Sequence, residues 1–478
     1  MALNNPSILT RRGFLAGSSV LAAAATYRVS AWASEPRLHE ISLVADRTRV
    51  SLVGAPHPDT EVWCYNGTQP GPEIRLRQGD RLRVRVQNRL AEDTTVHWHG
   101  IRLPNAMDGV PHLTQEPIAP GESFTYEFVC PDAGTYWYHP HQSSAEQVGR
   151  GLYGALIVDE PQPPEVDRDV TWMLSDWRLL KNAEISSDFG NMHDVSHNGR
   201  VGNTVTVNGR IREEFAVRAG ERIRLRLINA ANARIFGLEF TGHEPTVIAL
   251  DGQPVEPHVP AGGRVVLGPA MRADIILDMT ARGAKRFTVT DRFYRGLHYR
   301  LLDLVYADGE PLPSAVRQAP VRLAPNTLAE PDLAGAERHR VVIGGGMMGG
   351  MRSAMMDGRE TDIRTLMHNG LVWAINGIAA RGHVHDPLLS FVRGRSYIIE
   401  LVNDTAWHHP MHLHGHSFRV ISRNGTLTQR REWQDTVLLD PRERAEIAFV
   451  ADNPGDWMFH CHILEHQMGG MMGVFRVS

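Results

Sequence analysis

The chain has 478 residues, a formal net charge of −4 at pH 7 and 42% hydrophobic residues. This length exceeds what one hydrophobic core usually holds, so two or three domains are expected. The composition is that of a folded protein and excludes a disordered chain, and the acidic balance argues against a nucleic-acid partner.

The first 33 residues resemble a twin-arginine export signal. Arg11 and Arg12 precede an apolar Gly/Ala-rich stretch, and Ala31 and Ala33 flank Trp32 as in a small-residue cleavage site. The apolar stretch is shorter than the roughly 20 residues that cross a bilayer, and no later stretch reads as a membrane span. We therefore expect the twin-arginine export machinery to deliver a cleaved chain of net charge about −7 to the periplasm.

One sequence pattern occurs three times, in residues 75–90, 216–231 and 390–405. In each copy a turn at glycine leads into alternating apolar and polar residues, which is the period of a half-buried β-strand. Short strands separated by Gly, Pro, Asp and Asn turns are typical of antiparallel β-sandwiches. The sequence therefore predicts an all-β protein of three such domains.

The predicted domains cover residues 36–160, 161–310 and 338–478. The Pro-rich residues 311–337 are expected to connect the second domain to the third. The first 33 residues, as an export signal, belong to none of these domains.

A second segment recurs in residues 131–141 and 452–462, where a Pro/Gly turn precedes a strand that ends in histidines. We expect residues 272–279 to be the corresponding strand of the middle domain, which lacks these histidines. The middle domain is therefore predicted to hold no metal ligands.

Four His-x-His pairs lie at equivalent places of the repeats. They are His97/His99, His139/His141, His412/His414 and His460/His462. Residues two apart in a strand point to the same side, about 6.5 to 7 Å apart, so each pair can serve two metal ions. Eight imidazoles suit three metal ions, and such a ring forms only where the first and third domains meet.

Cys461 lies between the two histidines of the last pair. Because side chains alternate along a strand, its sulfur should point away from both histidines and serve a different metal. His409, His466 and a long contact from Met471 would complete a blue-copper electron-transfer site. Electrons would then pass from the sulfur through the backbone to either flanking histidine.

The motifs "HWHG", "YHPH", "HPMHLH" and "HCHILEHQMGGM" resemble, in order and spacing, those of the multicopper oxidases, which include laccases and bacterial cuprous oxidases. The resemblance implies three cupredoxin-like domains, four copper ions per chain, and reduction of dioxygen to water with electrons taken singly from a substrate. It implies as ligands His409, Cys461, His466 and Met471 for the type 1 copper; His97 and His412 for the type 2 copper; His99, His139 and His462 for one type 3 copper; and His141, His414 and His460 for the other.

The residues that could supply protons match the family pattern only in part. Asp108 resembles the acidic residue that family members place near the type 2 copper, although Asp108-Gly109 is also a common turn. Bacterial relatives often carry an acidic residue after the last histidine of "HCHxxxH", where this chain has Gln467, and an amide cannot donate a proton as a carboxylic acid does. The expected catalytic residues are Cys461, His460, His462 and Asp108.

Residues 344–358 are rich in methionine. They contain Met347, Met348, Met351, Met355 and Met356. Three of the five recur every four residues and would share a face if the stretch is helical, and thioethers are soft ligands suited to Cu(I). An apolar cover or gap-filling core is the alternative. Trp407, just before the third motif, could equally line a phenol pocket.

Three functions follow from these motifs. The methionines favour an oxidase of Cu(I) or another metal ion that serves copper tolerance. A laccase-like oxidase of phenols and aromatic amines is the second, and a copper-binding or scaffold protein without turnover is the third. The expected partners are dioxygen and a small reducing substrate or metal ion, and the mature chain is expected to be a monomer.

Overall fold

The computed structural model describes residues 36–281, 285–310, 312, 320–382 and 384–478. The predicted export signal lies outside the described residues, as do residues 311 and 313–319 of the predicted connection. The elements below all lie within Leu38–Ser478.

The strands fall into three consecutive sets. The first set is β1 (Leu38–Val50), β2 (Thr60–Tyr65), β3 (Gly71–Arg77), β4 (Arg81–Asn88), β5 (His97–His99), β6 (Ser123–Val129), β7 (Gly134–His139) and β8 (Gly154–Asp159). The second set is β9 (Arg168–Trp177), β10 (Thr204–Val207), β11 (Glu214–Val217), β12 (Arg222–Asn229), β13 (Phe236–Phe240), β14 (Thr246–Leu250), β15 (Gln253–His258), β16 (Arg264–Leu267), β17 (Arg272–Asp278), β18 (Arg286–Asp291) and β19 (Tyr299–Tyr306). The third set is β20 (Glu337–Gly345), β21 (Ser353–Met356), β22 (Arg359–Asp362), β23 (Trp373–Ile375), β24 (Leu389–Phe391), β25 (Ser396–Asn403), β26 (His409–Leu413), β27 (Phe418–Arg423), β28 (Thr426–Leu427), β29 (Trp433–Gln434), β30 (Thr436–Leu439), β31 (Arg444–Val450), β32 (Gly455–Cys461) and β33 (Met472–Val477).

The helices are short. They are α1 (Ser144–Gly149), α2 (Met192–Ser196), α3 (Ile363–His368) and α4 (Leu464–Met468), with 3₁₀ turns at Asn105–Met107 and Ala261–Gly263. No helix among the described residues is long and apolar enough to cross a membrane.

The three copies of the repeated pattern fold alike. In each copy the strand after the glycine turn is β4, β12 or β25, and it pairs in parallel with the first strand of its set and antiparallel with a later one. In β4 the alternation places Leu82, Val84 and Val86 in the core, as the period of two requires. The predicted all-β class is thereby confirmed, and each main sheet also contains one parallel pair.

Two main sheets form in each set. Their strand orders are β2-β1-β4-β6 and β3-β8-β7-β5; β10-β9-β12-β17-β14-β15 and β11-β19-β18-β13-β16; and β23-β20-β25-β31-β27-β28 and β24-β33-β32-β26-β30. The predicted domain boundaries are compatible with this division and stay a prediction.

One expected correspondence is wrong. The strand of residues 272–279, β17, lies beside β12 as β6 lies beside β4, so it is the counterpart of β6 and not of the histidine-bearing β7. The place of β7 in the middle set is taken by β18, next to β13 and β19. An apolar pattern shows that a strand is buried, but it does not determine which strands become its neighbours.

The core positions the histidine motifs. One continuous apolar cluster includes side chains of the first and third sets, among them Trp98, Tyr138, Trp373, Trp457 and Phe459. A separate cluster fills the middle set. Packing between the first and third sets therefore holds β5 and β7 close to β26 and β32.

Candidate metal centre

The four His-x-His pairs come together in one buried group, which we call the histidine cluster. It consists of His97, His99, His139, His141, His412, His414, His460 and His462, each at most 5% exposed. Within each half the pairing of strands sets the register, because His97 lies opposite His139 and His412 lies opposite His460. The first and third strand sets thus contribute four imidazoles each.

The imidazoles of the two halves interleave. His97 stacks on His414 with ring centres 3.9 Å apart, and His99 stacks on His412 at 3.8 Å. Other ring nitrogens face each other, with 3.1 Å between the Nε2 atoms of His414 and His460. The Nε2 atoms of His139 and His462 are 3.4 Å apart. The first of these pairs lies within the third strand set and the second joins the first set to the third, and nitrogens at these separations can bind shared metal ions.

Asp108 contacts one stacked pair. His97 Nδ1 donates to the backbone oxygen of Asp108 at 2.8 Å, and Nδ1 of His414 donates to its Oδ2 at 2.8 Å. Asp108 follows the 3₁₀ turn and is 1% exposed. The residue singled out as a proton donor therefore also orients one ring from each half of the cluster.

Asp435 contacts the other stacked pair in the same way. His412 Nδ1 donates to the backbone oxygen of Asp435 at 2.8 Å, and His99 Nε2 lies 3.2 Å from its Oδ1. Thr436 Oγ1 lies within 3.1 Å of His412 Nδ1 and 3.3 Å of His99 Nε2. Two aspartates therefore divide the orienting contacts of four imidazoles between them.

The remaining nitrogens suit a metal. Five ring nitrogens are buried and have no hydrogen-bond partner in the part of the chain that the structure describes: Nε2 of His97, Nδ1 of His99, Nε2 of His412 and both of His141. An unpartnered buried polar atom costs about 1–3 kcal/mol, and metal ligation removes that cost. Imidazole is a good ligand for copper, so the donor set fits this metal.

Burial also keeps the cluster in its ligating form. Burial first, and then the neighbouring imidazoles, lowers the pKa of several rings well below the ordinary histidine range. These rings are His99, His139, His141, His414, His460 and His462. Neutral imidazole is the form that binds metal ions.

A second group, the cysteine cluster, consists of His409, Cys461 and His466, all fully buried. The Sγ atom of Cys461 lies 3.5 Å from His409 Nδ1 and 3.7 Å from His466 Nδ1, and the two nitrogens are 3.1 Å apart. A metal bonded to nitrogen at about 2.0 Å and to sulfur at about 2.3 Å in one plane separates such atoms by roughly 3.5 Å. The triangle therefore fits a copper ion.

The outer nitrogens of this cluster are also held. His409 Nε2 lies 2.8 Å from Thr405 Oγ1, and His466 Nε2 donates to the backbone oxygen of His197 at 2.7 Å. Burial lowers the pKa of His466 to about 3. Burial raises the pKa of the Cys461 thiol, so a bound cation is needed to hold the thiolate.

Met471 lies beside these ligands. Its backbone oxygen accepts from the Cys461 amide at 3.1 Å, its amide donates to the oxygen of His466 at 3.0 Å, and its side chain is fully buried. Cys461 is bonded covalently to His460 and His462, whose rings belong to the histidine cluster. One strand end thus joins the two clusters.

The methionine-rich stretch is not helical, so the expected shared face is absent. Gly345 and Gly346 have φ values of 108° and 72°, and the chain continues into the hairpin of β21 and β22. Met351 and Met356 pack against a small apolar cluster that includes Leu366. Met347, Met348 and Met355 are exposed. Of these, Met347 bonds through its backbone oxygen to the Trp407 indole and through its amide to Ser196.

Two cavities lie near the clusters. The larger, about 790 Å³, is lined by His193, His197, Tyr294, Tyr299 and Trp407 among others. It adjoins the cysteine cluster, because His197 supplies the carbonyl that His466 contacts. Its walls come from the middle and third strand sets, and its size is typical of small-molecule sites.

The smaller cavity, about 430 Å³, is lined by His141 and Gln467 together with apolar side chains such as Met458 and Val474. Gln467 Oε1 has no hydrogen-bond partner among the described residues. Glu465 is turned away, since its carboxylate accepts from the Arg200 amide and from Asn232 at 3.0 and 3.1 Å. At the position after His466 the chain therefore offers the amide of Gln467 to this cavity, while the acid in its lining, Glu146, is paired with Arg150.

Sequence reasoning missed the residues that hold Asp435. Arg272 donates to both of its carboxylate oxygens, and Asp251 Oδ2 accepts from the amides of Asp435 and Thr436. Burial and the neighbouring Asp435 raise the pKa of Asp251, whereas Arg272 holds the pKa of Asp435 low despite its burial. No local pattern marks these residues, because β17 carries Asp274 and Asp278 besides Arg272, and Asp251 lies in the turn that follows β14.

Comparisons with known proteins point to one family. Three family models described as multicopper oxidase match residues 47–163, 168–303 and 360–478. The chain is 32% identical to the multicopper oxidase MmcO of Mycobacterium tuberculosis, covering 90% of this chain and 85% of that one. It is 28% identical to a copper resistance protein A homolog of Pseudomonas syringae pv. tomato, covering 99% and 100%. A multi-copper oxidase crystal structure from Pseudomonas Thermotolerans matches with a TM-score of 0.79 and 35% identity, covering 93% and 100%.

Proposed function

The chain belongs to the multicopper oxidase family of copper-dependent oxidoreductases, and we propose that it couples oxidation of a reducing substrate to reduction of dioxygen to water. The observation that carries the proposal is the junction at Cys461, which belongs to one cluster while its two neighbours belong to the other. When bound, one type 1, one type 2 and two type 3 copper ions would supply single-electron acceptance at the cysteine cluster and four-electron reduction of dioxygen at the histidine cluster.

The ligands would be those that the sequence resemblance implies. The type 1 copper would be held by His409, Cys461, His466 and Met471, and the type 2 copper by His97 and His412. One type 3 copper would be held by His99, His139 and His462, and the other by His141, His414 and His460. The assignment is supported by the triangle of the cysteine cluster, by the short distances from His414 to His460 and from His139 to His462, and by the nitrogens that have no protein partner among the described residues.

The residues of the chain would contribute to the reaction in three ways. The backbone from Cys461 to His460 and His462 gives electrons a short covalent path between the clusters. Burial of the eight imidazoles excludes bulk water, and the apolar cavity beside His141 gives dioxygen a route inward. Asp108 Oδ2, in contact with His414, is the carboxylate at which a proton would be held, since Gln467 cannot supply one.

The larger cavity supports an aromatic electron donor, such as a phenol or aromatic amine. Tyr294, Tyr299 and Trp407 offer apolar ring surfaces, and the His197 carbonyl connects the cavity wall to the imidazole of His466. An electron from a bound ring would need to cross only this hydrogen bond to reach the cysteine cluster. The geometry thus ranks laccase-like oxidation above the metal oxidation that the methionines favoured.

Oxidation of Cu(I) or another metal ion is the second candidate. Its supporting observation is that Met347 and Met348 are exposed, with the Met347 backbone fastened to Trp407 at the edge of the same cavity. A relative named for copper resistance agrees with this role. The two activities are compatible, because the cysteine cluster takes electrons from any donor of suitable potential.

Dioxygen uptake by the copper-loaded protein tests both candidates, with guaiacol and Cu(I) supplied separately and Cys461→Ser as the blank. We expect uptake with guaiacol that is absent from the blank. Loss of Cu(I)-driven uptake in Met347→Ser/Met348→Ser, but not in the exposed control Met367→Ser, would support the metal oxidase. Uptake with neither donor would restore the copper-binding or scaffold reading.

We also propose that the mature chain is a periplasmic monomer of three domains with the predicted boundaries. Arg11, Arg12 and the Ala31-Trp32-Ala33 site support export by the twin-arginine machinery. Replacing both arginines with lysine should leave the protein in the cytoplasmic fraction, and its correct export would contradict the proposal.

A further inference from the structure

The middle strand set contributes no ligand to either cluster, yet two of its charged residues lie against the histidine cluster. Arg272, the first residue of β17, and Asp251, just after β14, are both fully buried. The Arg272 guanidinium donates to Asp435 Oδ1 at 2.9 Å and to Oδ2 at 2.5 Å, which is a two-point contact that fixes the carboxylate plane.

Asp251 holds the backbone of the same residue. Its Oδ1 accepts from the Arg272 amide at 2.9 Å, and its Oδ2 accepts from the amides of Asp435 and Thr436 at 3.2 and 3.1 Å. The side chain and the backbone of Asp435 are therefore fixed from the middle set. Asp435 in turn contacts His99 through Oδ1 and His412 through its carbonyl.

We infer that Arg272 and Asp251 are positioning residues for copper binding, acting through Asp435 on His99 and His412. The inference rests on the copper ligands proposed above. A proton on His99 Nε2, donated to Asp435, leaves Nδ1 for the metal, and a proton on His412 Nδ1 leaves Nε2. Contacts of this kind set the tautomer and angle of a ligand, and their loss weakens metal binding.

The surrounding chain is shaped to admit the guanidinium. Gly100, directly after His99, has a φ of 86°, and a Cβ there would lie 2.3 Å from Arg272 Nη2 and 2.6 Å from Asp435 Oδ2. The other donors of Arg272 are also used, with Nε bonded to the Thr135 oxygen at 3.1 Å. A lysine, with one compact ammonium, cannot reproduce these contacts.

The competing explanation is that Arg272 only stabilises the packing between the strand sets. The chain contains a matched control for this explanation. Arg224, on neighbouring β12, is equally buried and pairs with Glu160 and Asp274, but it contacts no histidine. If burial of an arginine pair were all that mattered, Arg224 and Arg272 should be equivalent.

The test compares Arg272→Met, Arg272→Lys, Asp251→Asn and the control Arg224→Met after copper loading. Copper per chain, the electron paramagnetic resonance signal of the type 2 copper and the blue absorption of the cysteine cluster are measured on each. Arg272→Met should weaken binding of the copper held by His97 and His412 by about 10- to 100-fold while the blue absorption stays. Arg272→Lys should bind this copper more tightly than Arg272→Met but less tightly than the unsubstituted chain.

Asp251→Asn guards against a folding defect, because it keeps the side-chain shape and leaves the Arg272–Asp435 pair neutral. A weakened or altered type 2 signal in this variant, with native circular dichroism, would support the inference. An unchanged signal in both Arg272→Met and Asp251→Asn would overturn it, as would equal copper loss in Arg224→Met. A wild-type chain that binds no copper would overturn both the inference and the proposed function.

Discussion

Asp108 and Asp435 do the same work in the two halves of the histidine cluster but are supported differently. Each contacts one stacked pair of imidazoles, one ring from the first strand set and one from the third. Among the described residues, Asp108 has ion-pair contacts only with His97 and His414, whereas Asp435 also pairs with Arg272. The charge of Asp435 is thus balanced permanently by the protein.

The difference shows that two contacts of similar geometry can matter for different properties, one for the free energy of folding and the other for copper chemistry. Removing Asp435 would leave the buried guanidinium of Arg272 without its main carboxylate partner, which lowers the free energy of unfolding. Removing Asp108 leaves no buried cation behind, so its loss should appear mainly in copper chemistry. Four measurements test this contrast.

Acid should have the largest effect, because it acts on the buried imidazoles of both halves of the histidine cluster and of the cysteine cluster at once. The pKa of His466 is about 3 in the folded chain and about 6.5 in an unfolded one, so the unfolded state takes the proton first. Stability of the metal-free protein should therefore fall as pH drops below about 6.5, by up to about 1.4 kcal/mol per pH unit for each such histidine. Denaturant unfolding at several pH values measures this, and the copper-loaded protein should resist to lower pH. A flat profile between pH 6.5 and 4 would contradict it.

Asp435→Ala should destabilise the metal-free protein more than Asp108→Ala does. The first removes the two-point carboxylate partner of Arg272 and leaves only Asp251 Oδ1 at 3.5 Å, so it should lower the free energy of unfolding by about 3–5 kcal/mol. The second removes hydrogen-bond acceptors and should lower it by about 1–3 kcal/mol. Equal losses for the two variants in urea unfolding would show that the arginine makes no difference.

Asp108→Asn should affect turnover more than stability. The backbone contact to His97 remains, but the charge beside His414 is lost, so oxygen uptake should fall by about 10- to 100-fold while copper content is retained. Asp132→Asn is the matched control, since Asp132 is equally buried and pairs with Arg102 and no histidine. Similar activity in both variants would remove Asp108 from the mechanism.

Thr436→Val should have the smallest effect. The change keeps the volume but removes the hydroxyl that donates to Asp435 Oδ1 at 2.8 Å and lies beside His412. We expect a loss of about 1 kcal/mol in the free energy of unfolding and a small change in the type 2 resonance signal. A loss as large as that of Asp435→Ala would mean that the hydroxyl, and not the carboxylate, orients the rings.

Much of the site follows from short-range pattern. The period of two along a strand placed the Cys461 sulfur opposite its flanking histidines, and the repeats predicted which His-x-His pairs would meet. The predicted helical face of the methionines is wrong because Met348 has a φ of 63° and the chain enters strand β21 at Ser353. The Arg272–Asp435 contact joins residues 163 positions apart and leaves no local trace, so only the folded chain could show it.

The large sequence separation between contacting residues determines when the histidine cluster can form during synthesis. His462 meets His139 across 323 residues, and His414 meets Asp108 across 306. During synthesis the N-terminal half of the cluster is complete long before the last strands exist, and closing such long loops is slow. The order of synthesis therefore delays the complete histidine cluster until β32 has been made, so copper can enter the whole site only after the first and middle strand sets exist.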